Sequence, residues 1–137
     1  MAGAESQASV VEVAAGLIRD EGGRYLITRR VAGSHLEGLW EFPGGKREAG
    51  ETLEECLRRE LGEELGADFT IGERIETVTW RYPGKTVVLH FFRCRLAAGL
   101  IEPRERQAHA WVEVGHLGDY AFPPADRELI VRLQRRA

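Results

Sequence analysis

The chain is poor in the residues that build soft metal sites and disulfide frameworks. It contains two cysteines and four histidines in 137 residues. Cys56 and Cys94 lack the close spacing of metal ligands, so we expect two buried free thiols rather than a disulfide. The histidines are scattered along the chain, at positions 35, 90, 109 and 116. A zinc site is therefore not expected.

Long apolar runs and an excess of positive charge are also missing. No apolar run approaches the roughly 18 residues of a membrane span. The N-terminus lacks a charged-then-apolar signal pattern, which leads us to expect a cytoplasmic protein with no membrane partner. A net charge of -3, without any long block of like charge, argues against nucleic acid as the main partner.

The composition is otherwise that of a soluble globular domain, with 43% hydrophobic and 30% charged residues. Residues 1–9 are small and polar and are expected to fray, which leaves 10–137 as a single domain. We predict a final helix over 124–135 and strands over 10–18, 24–30, 69–82 (one strand or two), 86–96 and 107–114. This order predicts an α+β fold with a mixed β-sheet between helices.

The stretch from Gly44 to Ala67 carries the strongest local signals. Glycines at 44, 45 and 50 allow sharp turns or a close approach of the backbone to a ligand. Thr52 with Glu55 three residues later forms a capping-box pattern, which predicts the start of a helix. Leucines at every fourth position, 53, 57, 61 and 65, give this helix an apolar stripe, and Gly66 predicts its end.

Three carboxylates lie close together on this predicted helix. At the angular step of a helix, Glu60, Glu63 and Glu64 span an arc of only about 100° beside the leucine stripe. Their mutual repulsion is poorly screened near the edge of a core. A divalent cation would relieve it, and an all-oxygen site suits Mg²⁺ or Mn²⁺. The alternative is an ordinary acidic surface helix.

The whole stretch resembles the signature of the Nudix hydrolase family. That signature sets Gly, Glu, Arg-Glu, an aliphatic residue, Glu-Glu and Gly at fixed intervals. The matching positions here are Gly45, Glu51, Arg59, Glu60, Leu61, Glu63, Glu64, Gly66 and Ala67. The resemblance implies an α/β/α sandwich that uses a divalent metal to hydrolyse a nucleoside diphosphate linked to another group.

The resemblance also implies roles for individual residues. Glu60, Glu63 and Glu64 would hold the metal together with the carbonyl of Gly44. The remaining implied positions are Arg59, which would orient a glutamate, Glu51, which would support the ligands, and Glu105, which would join the metal site or act as base. The residues alone leave an alternative for each position. Arg59 could be a surface arginine in helical ion pairs, Glu51 a favourable charge at a helix N-terminus, and Glu105 a solvated loop residue.

Beyond the signature, the chain is most similar to the MutT-type branch, which converts nucleoside triphosphates to monophosphates and pyrophosphate. The matching pieces lie at residues 27–30, 39–45, 105–107 before Trp111, and 122–125. In this comparison Arg30 would contact phosphate, Lys85 would add positive charge and Phe42 would pack on the base. Asp126 replaces an asparagine that reads 8-oxoguanine.

Asp126 leaves the choice of base open. An ionised aspartate only accepts hydrogen bonds, so it could take N4–H₂ of cytosine or N1–H and N2–H₂ of guanine, and a neutral one could also donate. It could instead be a helix cap. We expect a Mg²⁺-dependent nucleoside triphosphate pyrophosphohydrolase, a monomer or weak dimer, with oxidised substrates such as 8-oxo-dGTP first. The alternatives are a CTP or dCTP pyrophosphohydrolase and a non-catalytic Nudix-fold binding domain.

Overall fold

The structure, a computed structural model, describes residues 9–34, 36–104 and 108–136. Strands β1 to β4 come first, at Ser9–Ile18, Tyr25–Arg29, Trp40–Glu41 and Gly44–Lys46. Helix α1 (Leu53–Leu65) follows, and then strands β5 to β7 at Asp68–Tyr82, Lys85–Ala98 and His109–Val112. A 3-10 helix (Val114–Asp119) leads into helix α2 (Pro124–Arg136). Each strand and helix expected from the sequence is present, with ends shifted by a few residues, and 69–82 lies in one strand. The strand expected over 107–114 is shorter, because Val114 begins the 3-10 helix, and Gln107 lies outside the described residues.

The strands form two sheets. The first has the order β4-β1-β6-β5, in which β1 runs parallel to β6 and the other pairs are antiparallel. The second is antiparallel, with the order β3-β2-β7. The mixed sheet expected from the sequence is thus present, joined by a smaller antiparallel sheet.

Alternation along β1 sends its side chains into two separate cores. Ala14 and Ile18 pack with the leucines of α1 on one face, together with Phe92 of β6. Ala15 and Leu17 pack on the opposite face, in the cluster that contains the apolar residues of α2, Leu129, Ile130 and Leu133. Because successive strand residues point to opposite faces, one sheet can bury both helices. The α/β/α sandwich is confirmed.

Helix α1 begins and ends where its sequence predicts. The Glu55 N–H donates to the Thr52 hydroxyl at 3.0 Å, and the Thr52 N–H donates to the Glu55 carboxylate at 2.8 Å. Gly66 ends the helix with φ 68°, and its N–H donates to the Gly62 carbonyl. Both ends are therefore fixed by residues within the helix region itself.

The two cysteines are buried free thiols, as expected. Neither α1 nor α2, the α-helices of the described ranges, is long and apolar enough to cross a membrane.

Candidate active site

A cavity of about 510 Å³ opens on the face of the mixed sheet that carries Ala15. Apolar residues of β1 and β6 form part of its lining, Val11, Val13, Ala15, Val87 and Leu89. Its polar lining comes from the ends of β2 and β3, from β4, from α1 and from the start of α2. Cavities of this size accommodate small-molecule ligands and cofactors.

Strand β4 brings two of the predicted carboxylates to this cavity. Glu60 and Glu64 both line it, beside Gly44 and Gly45. Gly44 lies so close to β1 that a Cβ there would collide with the carbonyl oxygen of Ala14, and a Cβ on Gly45 would collide with the carboxylate of Glu60. The absence of side chains at Gly44 and Gly45 therefore lets β4 lie against β1 and lets Glu60 reach the cavity.

Arg59 holds the glutamates around it in place. Its guanidinium binds Glu51 through two nitrogens, at 2.7 and 3.1 Å, and its NH1 donates to Glu60 at 2.8 Å. NH1 also lies 3.4 Å from Glu63 and 3.9 Å from Glu48. The hydrogen bonds from Arg59 are the largest cause that lowers the pKa of the Glu51 carboxyl, to about 2, and the same bond to Glu51 raises the pKa of Arg59. Arg59 thus makes charge-assisted hydrogen bonds to Glu51 and Glu60, and the orienting role expected from the sequence stays a prediction.

Glu63 does not line the cavity. Its side chain is 59% exposed and points to Arg59. Within 9–34, 36–104 and 108–136, no three His, Cys, Asp or Glu side chains lie together closely enough to hold a metal ion. The donors near the cavity are nevertheless all oxygens, the carboxylates of Glu60 and Glu64 with the backbone at Gly44, which suits a hard divalent cation. Glu105, the fifth predicted ligand, lies outside the described residues.

A second charged group lines the cavity, formed by Arg30, Glu41, Tyr82 and Asp126. Arg30 NH1 donates to Glu41 at 2.7 Å. Asp126 is buried, and this burial, followed by the charge of Glu41, raises the pKa of its carboxyl to about 7, against the opposing effect of Arg30. Burial, and then the charge of Asp126, also raises the pKa of Tyr82. Asp126 is thus a buried carboxyl of the cavity lining, in the first turn of α2.

The other two predicted substrate-binding residues also reach the cavity. Lys85 lines it, with Nζ 5.8 Å from the ring centroid of Tyr82. Phe42 lines it with a small part of its ring, because it stacks on Phe122 at 5.4 Å and is only 3% exposed. Phe42 is therefore mainly a core residue whose edge meets the cavity.

Five polar lining residues had no role in the sequence interpretation: Arg29, Ser34, Glu41, Lys46 and Tyr82. Glu41 lies in the Trp40–Pro43 segment, which the sequence predicts to be extended. No nearby residue in the sequence indicates the partner of its side chain. Tyr82 and Lys85 flank the Pro83-Gly84 turn, so the predicted hairpin could have placed them side by side.

Comparisons with known proteins extend this picture. The family model described as "NUDIX domain" matches residues 14–132. The chain belongs to the Nudix family.

Relatives and solved structures of this Nudix chain cover nearly its whole length. An 8-oxo-dGTP diphosphatase from Haemophilus influenzae is 41% identical over 90% of this chain and 91% of its own. A CTP pyrophosphohydrolase from Escherichia coli is 36% identical over 88% and 89%. The crystal structure of a MutT protein from Methanosarcina mazei Go1 superposes with a TM-score of 0.84 at 28% identity, covering 95% of this chain and 96% of that one. The Nudix signature, the fold and the hydrolase family are therefore established together.

The absence of a side chain at Gly45 allows a direct test of the position of Glu60. Gly45→Ala should reduce kcat by about a hundredfold, since a methyl group there displaces the carboxylate from the cavity edge and small displacements of this kind are costly. Steady-state kinetics with circular dichroism would measure it.

Gly62→Ala is the matched control for this substitution. A Cβ at Gly62 meets nothing closer than 3.9 Å, and alanine favours the helix over glycine, so activity should persist with a slightly higher melting temperature. Equal activity of the two variants would contradict the role assigned to the Gly45 space.

The raised pKa of Asp126 predicts a pH-dependent stability. The folded protein holds this proton to about pH 7, whereas the ordinary carboxyl value is 3.8. The stabilisation from protonated Asp126 is therefore complete below about pH 4 and is lost as the pH rises through 7. Asp126→Asn should remove this loss, which amounts to at most roughly 4 kcal/mol.

Urea unfolding of both proteins between pH 4 and 8 would measure the difference. The variant should become more stable than the wild type only as the pH rises. A constant difference across the range would show that the Asp126 carboxyl titrates normally.

Proposed function

We propose that this Nudix protein is a divalent-metal-dependent pyrophosphohydrolase that converts nucleoside triphosphates to monophosphates and pyrophosphate, with 8-oxo-dGTP as the first substrate. The observation that supports it best is the layout of one cavity. Signature carboxylates, Glu60 and Glu64, line it together with a buried polar group, Asp126, that can meet a base. Phosphates and base need these two kinds of partner in one site. The H. influenzae relative named 8-oxo-dGTP diphosphatase supports the same reaction.

The signature residues would bind the phosphate end. Glu60, Glu63 and Glu64 would hold Mg²⁺, or Mn²⁺, with the Gly44 carbonyl and Glu105 completing the ligands. A bound divalent ion neutralises phosphate charge and lowers the pKa of a water nucleophile. Arg59 keeps Glu60 at the cavity edge through its 2.8 Å bond.

The second charged group would bind the nucleoside. Asp126, buried at the start of α2, would face the base edge, with the ring edge of Phe42 beside it. Arg30 and Lys85 would supply positive charge to the polyphosphate, and in the structure Arg30 pairs with Glu41. That pair would have to yield, in part, to a phosphate that reaches Arg30.

A second candidate substrate is CTP or dCTP. Ionised Asp126 can accept from the N4–H₂ of cytosine, which an asparagine would do through its carbonyl alone. The E. coli relative named CTP pyrophosphohydrolase favours the same reading. The reaction at the phosphates would be unchanged, so the two candidates differ only in the base.

The reaction can be tested by its products. With Mg²⁺, the protein should convert 8-oxo-dGTP to 8-oxo-dGMP and pyrophosphate, because water attacks the β-phosphorus and the bond to the α-phosphate oxygen breaks. In ¹⁸O water, mass spectrometry should find the label in pyrophosphate only. Label in the monophosphate, or release of orthophosphate, would contradict this reaction.

Variants of α1 provide the control for that assay. Glu63→Gln should lower kcat at least about a hundredfold by removing a charged ligand. Glu54→Gln, an exposed glutamate in the first turn of the same helix, should match the wild type. If the wild type with Mg²⁺ hydrolyses none of these nucleotides, the chain is a binding domain rather than an enzyme. A Glu63→Gln protein with the kcat of Glu54→Gln would contradict the ligand role proposed for Glu63.

Asp126→Asn distinguishes the two candidate substrates. Asparagine keeps the shape of the side chain but adds two donors, so a base edge that suited aspartate leaves polar groups unpaired. Such mismatches cost roughly 1–3 kcal/mol each. The ratio of kcat/KM for 8-oxo-dGTP to that for dCTP should change about tenfold or more.

This ratio should be measured at pH 5 and at pH 8, on either side of the raised pKa of Asp126. An unchanged ratio at both would remove Asp126 from base recognition and direct attention to Phe42 and Glu41.

A further inference from the structure

Arg47 connects the loop that precedes α1 to strand β1. Its Nε donates to a carboxylate oxygen of Glu12 at 3.1 Å, and its NH1 donates to the backbone carbonyl of Glu51 at 3.2 Å. Its backbone N–H donates to the carbonyl of Glu12 at 2.9 Å. Arg47, which lies outside the cavity lining, thus links Glu51 to the sheet through one hydrogen bond to Glu51 and two to Glu12.

Glu12 is available to Arg47 because its other neighbour is a neutral histidine. Nε2 of the buried His90 lies 3.8 Å from Glu12, and Arg74 lies 3.2 Å from Nδ1. Arginine can only donate, so Nδ1 accepts and the ring proton sits on Nε2. Burial keeps the pKa of His90 below 6.5, opposed by Glu12 and reinforced by Arg74 and Arg47.

The other end of this connection reaches the cavity. The side chain of Glu51, the residue whose backbone carbonyl accepts from Arg47, binds Arg59 through two nitrogens. Arg59 in turn holds Glu60, whose carboxylate fills the space beside Gly45. A continuous series of contacts thus runs from β1 through Arg47 to Glu60.

The Arg47–Glu12 pair itself contributes little to stability. The two side chains are 37% and 36% exposed, and solvent screens an ion pair of this kind. A functional effect of losing it would therefore act through the position of Glu51 rather than through unfolding.

We propose that Arg47 is a positioning residue for the hydrolysis, which fixes the Glu51–Arg59–Glu60 series against β4 by tying Glu51 to β1. Arg47 touches neither the cavity nor the reacting atoms. The inference rests on the function proposed above, specifically on the role of Glu60 at the phosphate end.

Arg47→Met tests this role, since methionine keeps the apolar stem and removes the donors. The value of kcat for 8-oxo-dGTP should fall about 5- to 20-fold, as expected for a displaced catalytic group, while KM stays within about twofold. The affinity of the nucleotide-free protein for Mn²⁺, measured by electron paramagnetic resonance, should fall about threefold or more because Glu60 is a ligand. The melting temperature should change little.

Arg58→Met is the matched control. It lies on α1 and removes a two-nitrogen pair with Asp68, at 2.9 and 3.1 Å, that leads away from the cavity. Its kcat and Mn²⁺ affinity should match the wild type. Arg47→Lys retains a positive charge near Glu12 but lacks the planar guanidinium donors. Its kcat and Mn²⁺ affinity should lie between those of the wild type and those of Arg47→Met.

A double-mutant cycle separates a shared tether from two independent effects. Glu12→Ala should reproduce much of the loss in kcat, and adding it to Arg47→Met should cause little further loss. Losses that multiply, or an Arg47→Met protein with the kcat and Mn²⁺ affinity of the Arg58→Met control, would overturn the proposal. Wild-type activity in Glu60→Gln would instead overturn the proposed function on which it rests.

Discussion

The carboxylate of Glu60 occupies the space that a side chain on Gly45 would need, and the site depends on this contact. It joins α1 to strand β4, which has only three residues and lies at the edge of the mixed sheet. Gly44 must in turn pass close to the carbonyl of Ala14 on β1. Two adjacent glycines therefore let a helix on one face of the sheet send a carboxylate past the sheet edge to a cavity on the other face.

Arg59 lies among four carboxylates of the signature region and partly neutralises their charge. The sequence predicts that a divalent ion would relieve the repulsion of three carboxylates on one arc, with an ordinary acidic surface helix as the alternative. In the structure, one guanidinium faces Glu48, Glu51, Glu60 and Glu63. The pair between Arg59 and Glu63 is exposed and spans 3.4 Å. Exposed ion pairs of this kind contribute at most about 1 kcal/mol to the free energy of unfolding. A metal could therefore draw Glu63 away at low cost while Glu51 and Glu60 keep their bonds to Arg59.

The elements that follow local rules were predictable, and α1 shows why. Its capping box spans Thr52 to Glu55 and its ending depends on Gly66, so each signal lies within a few residues of the structure it determines. The division into two sheets was not predictable, because β2 pairs with β3 and β7 across long sequence separations. The residues of the site differ in the same way, since some belong to a local motif and others meet only in the folded chain. The signature fixed the carboxylates on α1, whereas Glu41 and Tyr82 join Asp126 only through tertiary packing. The Arg47–Glu12 contact links residues 35 apart and left no pattern in the sequence.

Two carboxyl groups of the site, Glu51 outside the cavity lining and Asp126 within it, have pKa values shifted in opposite directions, and this difference bears on what the site can recognise. Next to Glu60, Arg59 keeps the pKa of Glu51 at about 2, so its carboxylate stays charged. At Asp126, burial raises the carboxyl pKa to about 7, where charged and neutral forms are both populated near neutral pH. A charged carboxylate only accepts hydrogen bonds, whereas a neutral one also donates. Under the proposed function, a single side chain can therefore meet base edges of different donor and acceptor patterns. The preferred base depends on how strongly each base stabilises one protonation state of Asp126. Glu41 is the charge with the largest effect on the pKa of Asp126, so under the proposed function it contributes to this preference.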